Sequence, residues 1–313
     1  MEEILPSLPF RIEIEVINKC NLKCDYCYAA PFDNFVMPPS NLKYIISKTE
    51  VQVMPFEVVF LGGEPFLRQD MIDILEYANS TFSTDRVSVS TNGTMFKSME
   101  KNRKEKILKL KALSTNNSII QVSIDSTINL NIDKSIKSFE GIKVLERNKI
   151  SFSVGIVLTQ RNYSDLSKTI CDLSDLSYLR SINLEVLQKI NDLHYTQYQL
   201  TDAQLSIIPP MVKKVLREKG REDICVVGLE DVDTYLKQRI LMRNVSDIEL
   251  QDRKITNAGI YTNGNVSMNG VMDRKRIVGN IFHQDWKEIW KTANKMYRKE
   301  KETVYLTKTK SRD

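Results

Sequence analysis

The chain predicts an α/β protein built on a parallel sheet, and three observations carry that expectation. Short β-branched runs alternate six times with helix-like patterns, and strand-then-helix repetition means parallel strands joined by helical crossovers. Runs such as Glu57-Val58-Val59-Phe60-Leu61 are continuously apolar, as strands covered on both faces are. The composition, 42% hydrophobic and 27% charged over 313 residues, excludes a fibrous or mostly disordered protein and suffices for one large domain with an appendage. Pattern alone leaves an open doubly wound sheet and a barrel as alternatives.

Taken in order, the first predicted strand, residues 11–17, alternates Ile12, Ile14 and Val16 on one face with Arg11, Glu13 and Glu15 on the other. Further strands are expected at residues 57–61, 86–90, 119–124, 151–158 and 181–187. Helices begin near Ser40, Asp70, Lys97, Ser135, Ser164 and Thr201, and all of these but Lys97 are favoured N-cap types. After residue 220 the rhythm changes. Residues 224–227 read as one more strand and 230–254 as a charged connecting stretch. Asn263-Gly264-Asn265 between two short apolar runs is a hairpin signal, because Asn-Gly accepts the positive φ of a tight turn. A last amphipathic helix starts near Asp285, with Trp286, Ile289 and Trp290 on one side.

The net charge of +5, from 45 basic and 40 acidic residues, is mild. The lysines between Lys97 and Lys111 are interrupted by Glu100 and Glu105 on a helical pattern, a solvated face rather than a nucleic-acid contact, so no nucleic-acid partner is expected. No run approaches the ~18–20 uncharged apolar residues of a membrane span. Met1-Glu2-Glu3 lacks the basic start of a signal peptide, so the expected compartment is the cytoplasm, with no membrane partner. Two histidines, His194 and His283, argue against a histidine-rich metal site. Five cysteines in a reducing compartment argue against disulfides.

Three of those cysteines lie in Cys20-Asn21-Leu22-Lys23-Cys24-Asp25-Tyr26-Cys27, directly after the first strand. Thiolates at this spacing can wrap one corner of a cubane cluster, leaving the fourth iron open to an outside ligand. A zinc knuckle short of its fourth ligand and three unrelated buried thiols are the other readings of the spacing.

The loop resembles the CxxxCxΦC motif of the radical S-adenosylmethionine (radical SAM) superfamily, with Tyr26 as the aromatic residue and Tyr28 in keeping with family usage. Gly62-Gly63-Glu64-Pro65, after the second predicted strand, resembles the family's GGEP motif. The resemblance implies glycines that let backbone approach the methionine end of the cofactor, and a Glu64 carboxylate accepting from its amino group. Ser90 and Asn92 in Ser90-Thr91-Asn92-Gly93, and Ser123 and Asp125 in Ser123-Ile124-Asp125, resemble strand-end segments that meet the cofactor's ribose and carboxylate. Each is also ordinary turn chemistry. The stretch from Leu184 to Gln188, with Leu187 in it, resembles the segment whose backbone meets adenine.

The resemblance thereby implies one [4Fe–4S] cluster on Cys20, Cys24 and Cys27, with S-adenosylmethionine held by Tyr26, Gly62, Gly63, Glu64, Pro65, Ser90, Asn92, Ser123, Asp125 and Leu187. It implies a partial (β/α)6 TIM-like barrel over residues 1–220, a connecting segment over 221–254, and a β-hairpin-plus-helix appendage over 255–313. That appendage resembles the SPASM/twitch region of peptide-modifying members, where cysteines hold auxiliary clusters. Here Thr256-Asn257 and Met268-Asn269 stand in those neighbourhoods, and no cysteine follows Cys225. The loop after Asp125 also lacks the arginine that many relatives place on the cofactor carboxylate.

The chemistry so implied is reductive cleavage of S-adenosylmethionine to a 5′-deoxyadenosyl radical, which abstracts hydrogen from a substrate carbon. The expected substrate is a peptide or protein, with a separate leader-recognition protein and an electron donor such as flavodoxin or ferredoxin as partners. A small molecule (a nucleotide, sugar or cofactor precursor) is the alternative, and a non-catalytic iron–sulfur protein the alternative of another class. Cys225, on the apolar run Ile224-Cys225-Val226-Val227, is a candidate hydrogen-atom donor, which makes the net reaction an epimerisation. A small buried hydrophobe is the other reading of that thiol.

Overall fold

The computed structural model describes residues 8–84, 86–115, 119–128, 133–187, 197–228, 257–268, 270–272 and 274–309. In chain order its first elements are β1 (Arg11–Asn18), β2 (Phe35–Val36), α1 (Pro39–Gln52), β3 (Glu57–Gly62), α2 (Met71–Thr81) and β4 (Val87–Thr91). There follow α3 (Phe96–Asn102), α4 (Lys104–Thr115), β5 (Ile119–Ser123), α5 (Asp133–Arg147), β6 (Phe152–Leu158), α6 (Leu166–Ser174) and β7 (Leu179–Val186). The remainder is α7 (Asp202–Glu218), β8 (Cys225–Val227), β9 (Asn257–Ile260), β10 (Asn265–Met268), β11 (Ile277–Asn280) and α8 (Trp286–Thr309).

The strand order is β11-β10-β9-β1-β3-β4-β5-β6-β7-β8, with β2 antiparallel to β1. Along β1-β3-β4-β5-β6-β7-β8 each strand lies parallel to the one before it with no reversal of order. A doubly wound sheet reverses at a switch point, so this is the winding of a barrel. The barrel is partial: β8 and β11 lie at opposite edges and the sheet does not close.

One face of the sheet packs on the helices through Ile12, Ile14, Val58, Phe60, Val89, Val122, Val154 and Ile182, all buried. The other face corrects part of the sequence reading. β3 is apolar on both sides, through Val58 and Phe60 outside and Val59 and Leu61 inside. In β4 to β7 the inner positions include Ser88, Ser90, Gln121, Ser123, Ser153, Ser181, Asn183 and Glu185, with Gly155 and Val157 among them on β6. The inner face is therefore largely polar over these strands, where Asn183 Nδ2 donates to Gln121 Oε1 at 2.7 Å and the hydroxyls of Ser153 and Ser181 meet at 2.6 Å, and apolar at β3, where Val59 and Leu61 pack with Tyr261 and Val271.

Among the expected caps, Thr201 begins α7 with a full capping box, exchanging bonds with Gln204. Asp70 precedes α2 but gives its carboxylate to Arg68 rather than to the helix. Ser40 lies within α1, Ser135 is buried within α5, and Ser164 stands one residue before the N-cap Asp165. The lysine-rich stretch breaks at Arg103 into α3 and α4, and its Lys97 and Lys109 pair with Glu140 and with Asp73 and Glu76.

The hairpin turns at Asn263-Gly264, where Gly264 has φ 83°. Its first strand, β9, adds parallel to β1 and so continues the barrel's own sheet. On α8, Trp286 and Trp290 stack at 5.9 Å and are fully buried. Lys48 of α1 ties this region down by donating to the carbonyls of Ile281 and Gln284 at 2.9 and 2.8 Å. Among the described residues no helix is long and apolar enough to cross a membrane.

Candidate active site

The cysteine loop leaves β1 at Asn18, and the C-terminal ends of the next four strands each grip it. At the end of β3, Gly63 N donates to Ile17 O at 2.9 Å and Glu64 N to Lys19 O at 2.8 Å. The two glycines are needed for that approach. A Cβ on Gly63 would lie 2.2 Å from Lys19 O, and one on Gly62, whose φ is +154°, 2.2 Å from Ile17 O. The close contact is thus made with the chain's own backbone, at the residue preceding Cys20.

At the end of β4, the fully buried Glu64 carboxylate is held by three donors. Oε1 accepts from Thr91 Oγ1 at 2.7 Å and Phe66 N at 2.9 Å, and Oε2 from Asn92 N at 2.7 Å. Burial pushes this carboxyl above the ordinary value, with those bonds opposing. Asn92 Nδ2 donates to Asn21 Oδ1 at 2.9 Å and reaches Cys20 Sγ at 3.8 Å, while Asn21 Nδ2 donates to Thr94 Oγ1 at 2.8 Å. At the end of β5, Asp125 accepts the phenolic hydrogen of Tyr26. After β6, Arg161 pairs with Asp25 at 2.7 Å, its guanidinium lying over the Tyr198 ring at 4.4 Å.

All three loop cysteines are half-buried, and none of them is in a disulfide. Burial raises the Cys20 thiol, with the charges of Glu64 and Cys27 adding to it and the donors Leu22 N and Asn92 opposing. Tyr28 is pushed well up by burial, with Glu13, Cys27 and Glu15 adding and Arg274 opposing. Its phenol therefore stays neutral beside the loop.

The family model for the radical SAM superfamily matches residues 14–172, about half of the chain, from β1 through most of α6. The chain belongs to the radical SAM superfamily. It is an enzyme of that class, and it uses one [4Fe–4S] cluster and S-adenosylmethionine. Among curated relatives, a protein of Methanocaldococcus jannaschii described as "Probable GTP 3′,8-cyclase" is 28% identical over 231 residues, 70% of this chain and 74% of its own. A GTP 3′,8-cyclase of Staphylococcus epidermidis is 26% identical over 190 residues, 56% of this chain and 52% of its own. Among solved structures, Streptococcus suis SuiB bound to precursor peptide SuiA superposes with TM-score 0.71 at 14% identity, over 91% of this chain and 65% of SuiB. The radical SAM enzyme anSMEcpe with bound AdoMet and a peptide gives 0.61 at 17% identity, over 90% of this chain and 80% of that one. These structural likenesses establish the partial-barrel fold.

The residues present fit both cofactors. Cys20, Cys24 and Cys27 offer three thiols on one loop, and Cys20 already receives two N–H donors of the kind that stabilise a cluster thiolate. Among the described residues no three His, Cys, Asp or Glu side chains converge on one ion, and thiols that bind separate irons of a cubane have no need to. For the cofactor, Glu64 Oε2 has an open lone pair beyond Asn92 N, and Ser90 and Ser123 stand half-buried on the cavity face. Pro65 is buried at the start of the 3-10 turn Pro65–Leu67, and Leu187 is half-buried just past β7. Residues 188–196, which follow Leu187 and include Gln188, lie outside the described residues.

Several site residues escaped the sequence reading. Thr91 was legible only as part of its motif, Arg161 as part of a loop, and Asn21 as a spacer between cysteines. Glu13 and Glu15 were legible as a polar strand face, but their partners Val271 and Arg274 lie 258 and 259 residues away. Cys225 is exposed and stands in register with Ser181, which places it on the cavity side of the edge strand. Val227, two residues on, is level with Asn183, Gly155 and Ser123, so the thiol sits one pleat below the strand ends.

Proposed function

We propose that this enzyme abstracts a hydrogen atom from a carbon of a peptide or protein and so carries out a post-translational modification. The observation that carries the reading is the way the C-terminal region is built. Its hairpin extends the barrel sheet on β1 and its loop closes over Glu13 and Glu15, in a fold shared across 91% of this chain with SuiB, which was solved with its precursor peptide. When bound, the cluster and S-adenosylmethionine supply a 5′-deoxyadenosyl radical as the hydrogen acceptor. The chain's own residues fix the reaction's geometry: four strand ends hold the cysteine loop, Glu64 presents its open lone pair at the end of β3, and the largely polar inner face receives the substrate. A small one-electron carrier serves as electron donor. In this reading Cys225, on the inner side of β8, gives its hydrogen atom to the substrate carbon radical, and the one-electron carrier with a proton from solvent returns the resulting thiyl to the thiol, so that the net outcome is epimerisation.

A second reading has its own support. The curated sequence relatives include GTP 3′,8-cyclases, which makes a nucleotide the rival substrate. One experiment separates the two: cluster-loaded enzyme is supplied in parallel with GTP and with any short peptides encoded beside its gene. Substrate-dependent release of 5′-deoxyadenosine with a modified peptide supports the proposal. Turnover of GTP with inert peptides replaces it by the nucleotide reading. For Cys225, the Cys225→Ala variant is run in deuterated water: loss of solvent deuterium from the product, with 5′-deoxyadenosine still formed, supports the donor role. An unaltered product ends it.

A further inference from the structure

The inner face of β1 carries a charge that the family motifs do not use. Glu15 is 1% exposed. Its Oε1 accepts from Asn18 Nδ2 at 3.3 Å and pairs with Arg274 Nη2 at 2.5 Å, and its Oε2 accepts from Thr262 N at 3.4 Å. Arg274 comes from the loop after the hairpin, beyond the matched family region. Its guanidinium lies over the Tyr261 ring at 5.2 Å, and Tyr261 packs with Val59, Leu61, Val271 and Tyr28 inside the barrel. Its side chain is nevertheless 36% exposed, while its partner's is 2% exposed. The cation is thus fixed from behind by a carboxylate and an aromatic ring, and its outer N–H groups are open.

A guanidinium offers five N–H donors in a rigid fork, and Glu15 takes one of its nitrogens. A fork held in this way beside the cysteine loop's strand, with its outer N–H groups open, has the form of a receptor for an anionic oxygen group. We propose that Arg274 anchors the substrate by a carboxylate or phosphate group and thereby sets which carbon meets the radical. Glu15 is then a positioning residue that acts through Arg274. The inference rests on the radical reading above and extends it to substrate recognition.

The test is equilibrium dialysis at low salt with cluster-loaded, S-adenosylmethionine-bound enzyme. The probes are GTP, tripolyphosphate and an N-acetylated peptide of glutamate and glycine. At least one class should bind the wild type. Arg274→Gln should weaken that binding tenfold or more and Arg274→Lys by less, with cofactor affinity unchanged in both. Because Arg274→Gln strands a buried carboxylate, the double variant Glu15→Gln/Arg274→Gln, with a neutral pair, guards against misfolding and should show the same loss. Binding of GTP and tripolyphosphate alone assigns the phosphate source, and binding of the peptide alone the carboxylate source. No binding by any probe, or binding that Arg274→Gln leaves unmoved, overturns the anchor. Release of 5′-deoxyadenosine in the same samples reports on the radical reading separately: its absence fails that reading, whereas its presence without Arg274-dependent binding fails only the anchor.

Discussion

Replacing Gly63 by alanine tests whether the glycine pair serves the chain or the cofactor. The new Cβ would meet Lys19 O at 2.2 Å, its carbonyl carbon at 2.4 Å and Cys20 N at 2.8 Å, all of them backbone atoms that cannot swing away. Real Cβ contacts do not fall below 3.0 Å, so β3 and the cysteine loop must part by about 0.8 Å. At that separation the bonds from Glu64 N to Lys19 O and from Gly63 N to Ile17 O, now 2.8 and 2.9 Å, leave hydrogen-bonding range. Overpacking of this kind costs ~1–3 kcal/mol and each lost bond ~1 kcal/mol, so the variant should lose about 3–5 kcal/mol. The assay is urea unfolding with iron counted per chain, and iron retention should fall along with stability because the displaced residue adjoins Cys20. Gly220→Ala is the control. Its Cβ meets nothing within 4 Å, and its φ of +62° costs only ~1–2 kcal/mol with no loss of iron. Wild-type stability and full iron in Gly63→Ala would refute the reasoning. Unchanged stability with weakened S-adenosylmethionine binding would return the glycines to the cofactor.

Anaerobically reconstituted enzyme should hold about four irons per chain, and Cys24→Ala should hold no stable cluster, read by iron assay and absorbance; eight or twelve irons would point to ligands beyond the loop. Glu64→Gln should weaken S-adenosylmethionine binding about tenfold in calorimetry with the cluster intact, whereas Glu64→Ala should also lower stability because it strands the donors of Phe66, Thr91 and Asn92. Burial raises the carboxyls of Glu13 and Glu15, so the folded state binds protons more tightly than the unfolded one. The contribution of these two groups to stability should therefore be fully present below the ordinary value of 4.5 and be lost as pH rises through the raised values. Urea midpoints across that range should show the decline, and Glu15→Gln should flatten it.

The sheet was legible because its helix-facing positions are apolar runs of strand length, a local signal. The cysteine loop was legible because its chemistry fixes its spacing. What local pattern does not carry is pairing across distance. Nothing near residues 257–260 says that they add to β1, and nothing near Glu13 says that Val271 N will donate to it at 2.9 Å. The serines of α1, α5 and α6 misled for a related reason. Serine is favoured at caps, yet Ser135 is buried within α5 and Asp165, not Ser164, begins α6. The continuous apolar reading held for β3 and failed for β4 to β7, because alternation with serine is also what a strand with a polar inner face needs.

The contacts around the cysteine loop change what the strand-end motifs mean. Read as cofactor contacts, Asn92, Asp125 and Glu64 would present free polar groups to a ligand. In the structure Asn92 spends its amide on Asn21 and Cys20, Asp125 takes Tyr26, and Glu64 takes three donors from β4 and its own turn. Their first task is therefore to hold the loop, and with Gly63 and Arg161 they do so from the ends of four successive strands. A loop of this length with no regular structure has many conformations to lose, and each grip removes some of them before any cluster is bound. The thiols are then positioned by the barrel itself, and on the proposed reading Ser90, Ser123 and Glu64 Oε2 are left to meet the cofactor. On this account a variant at Asn92 should loosen the cluster before it weakens the cofactor. The order of those two losses, followed by iron release and by calorimetry, distinguishes a support residue from a ligand contact.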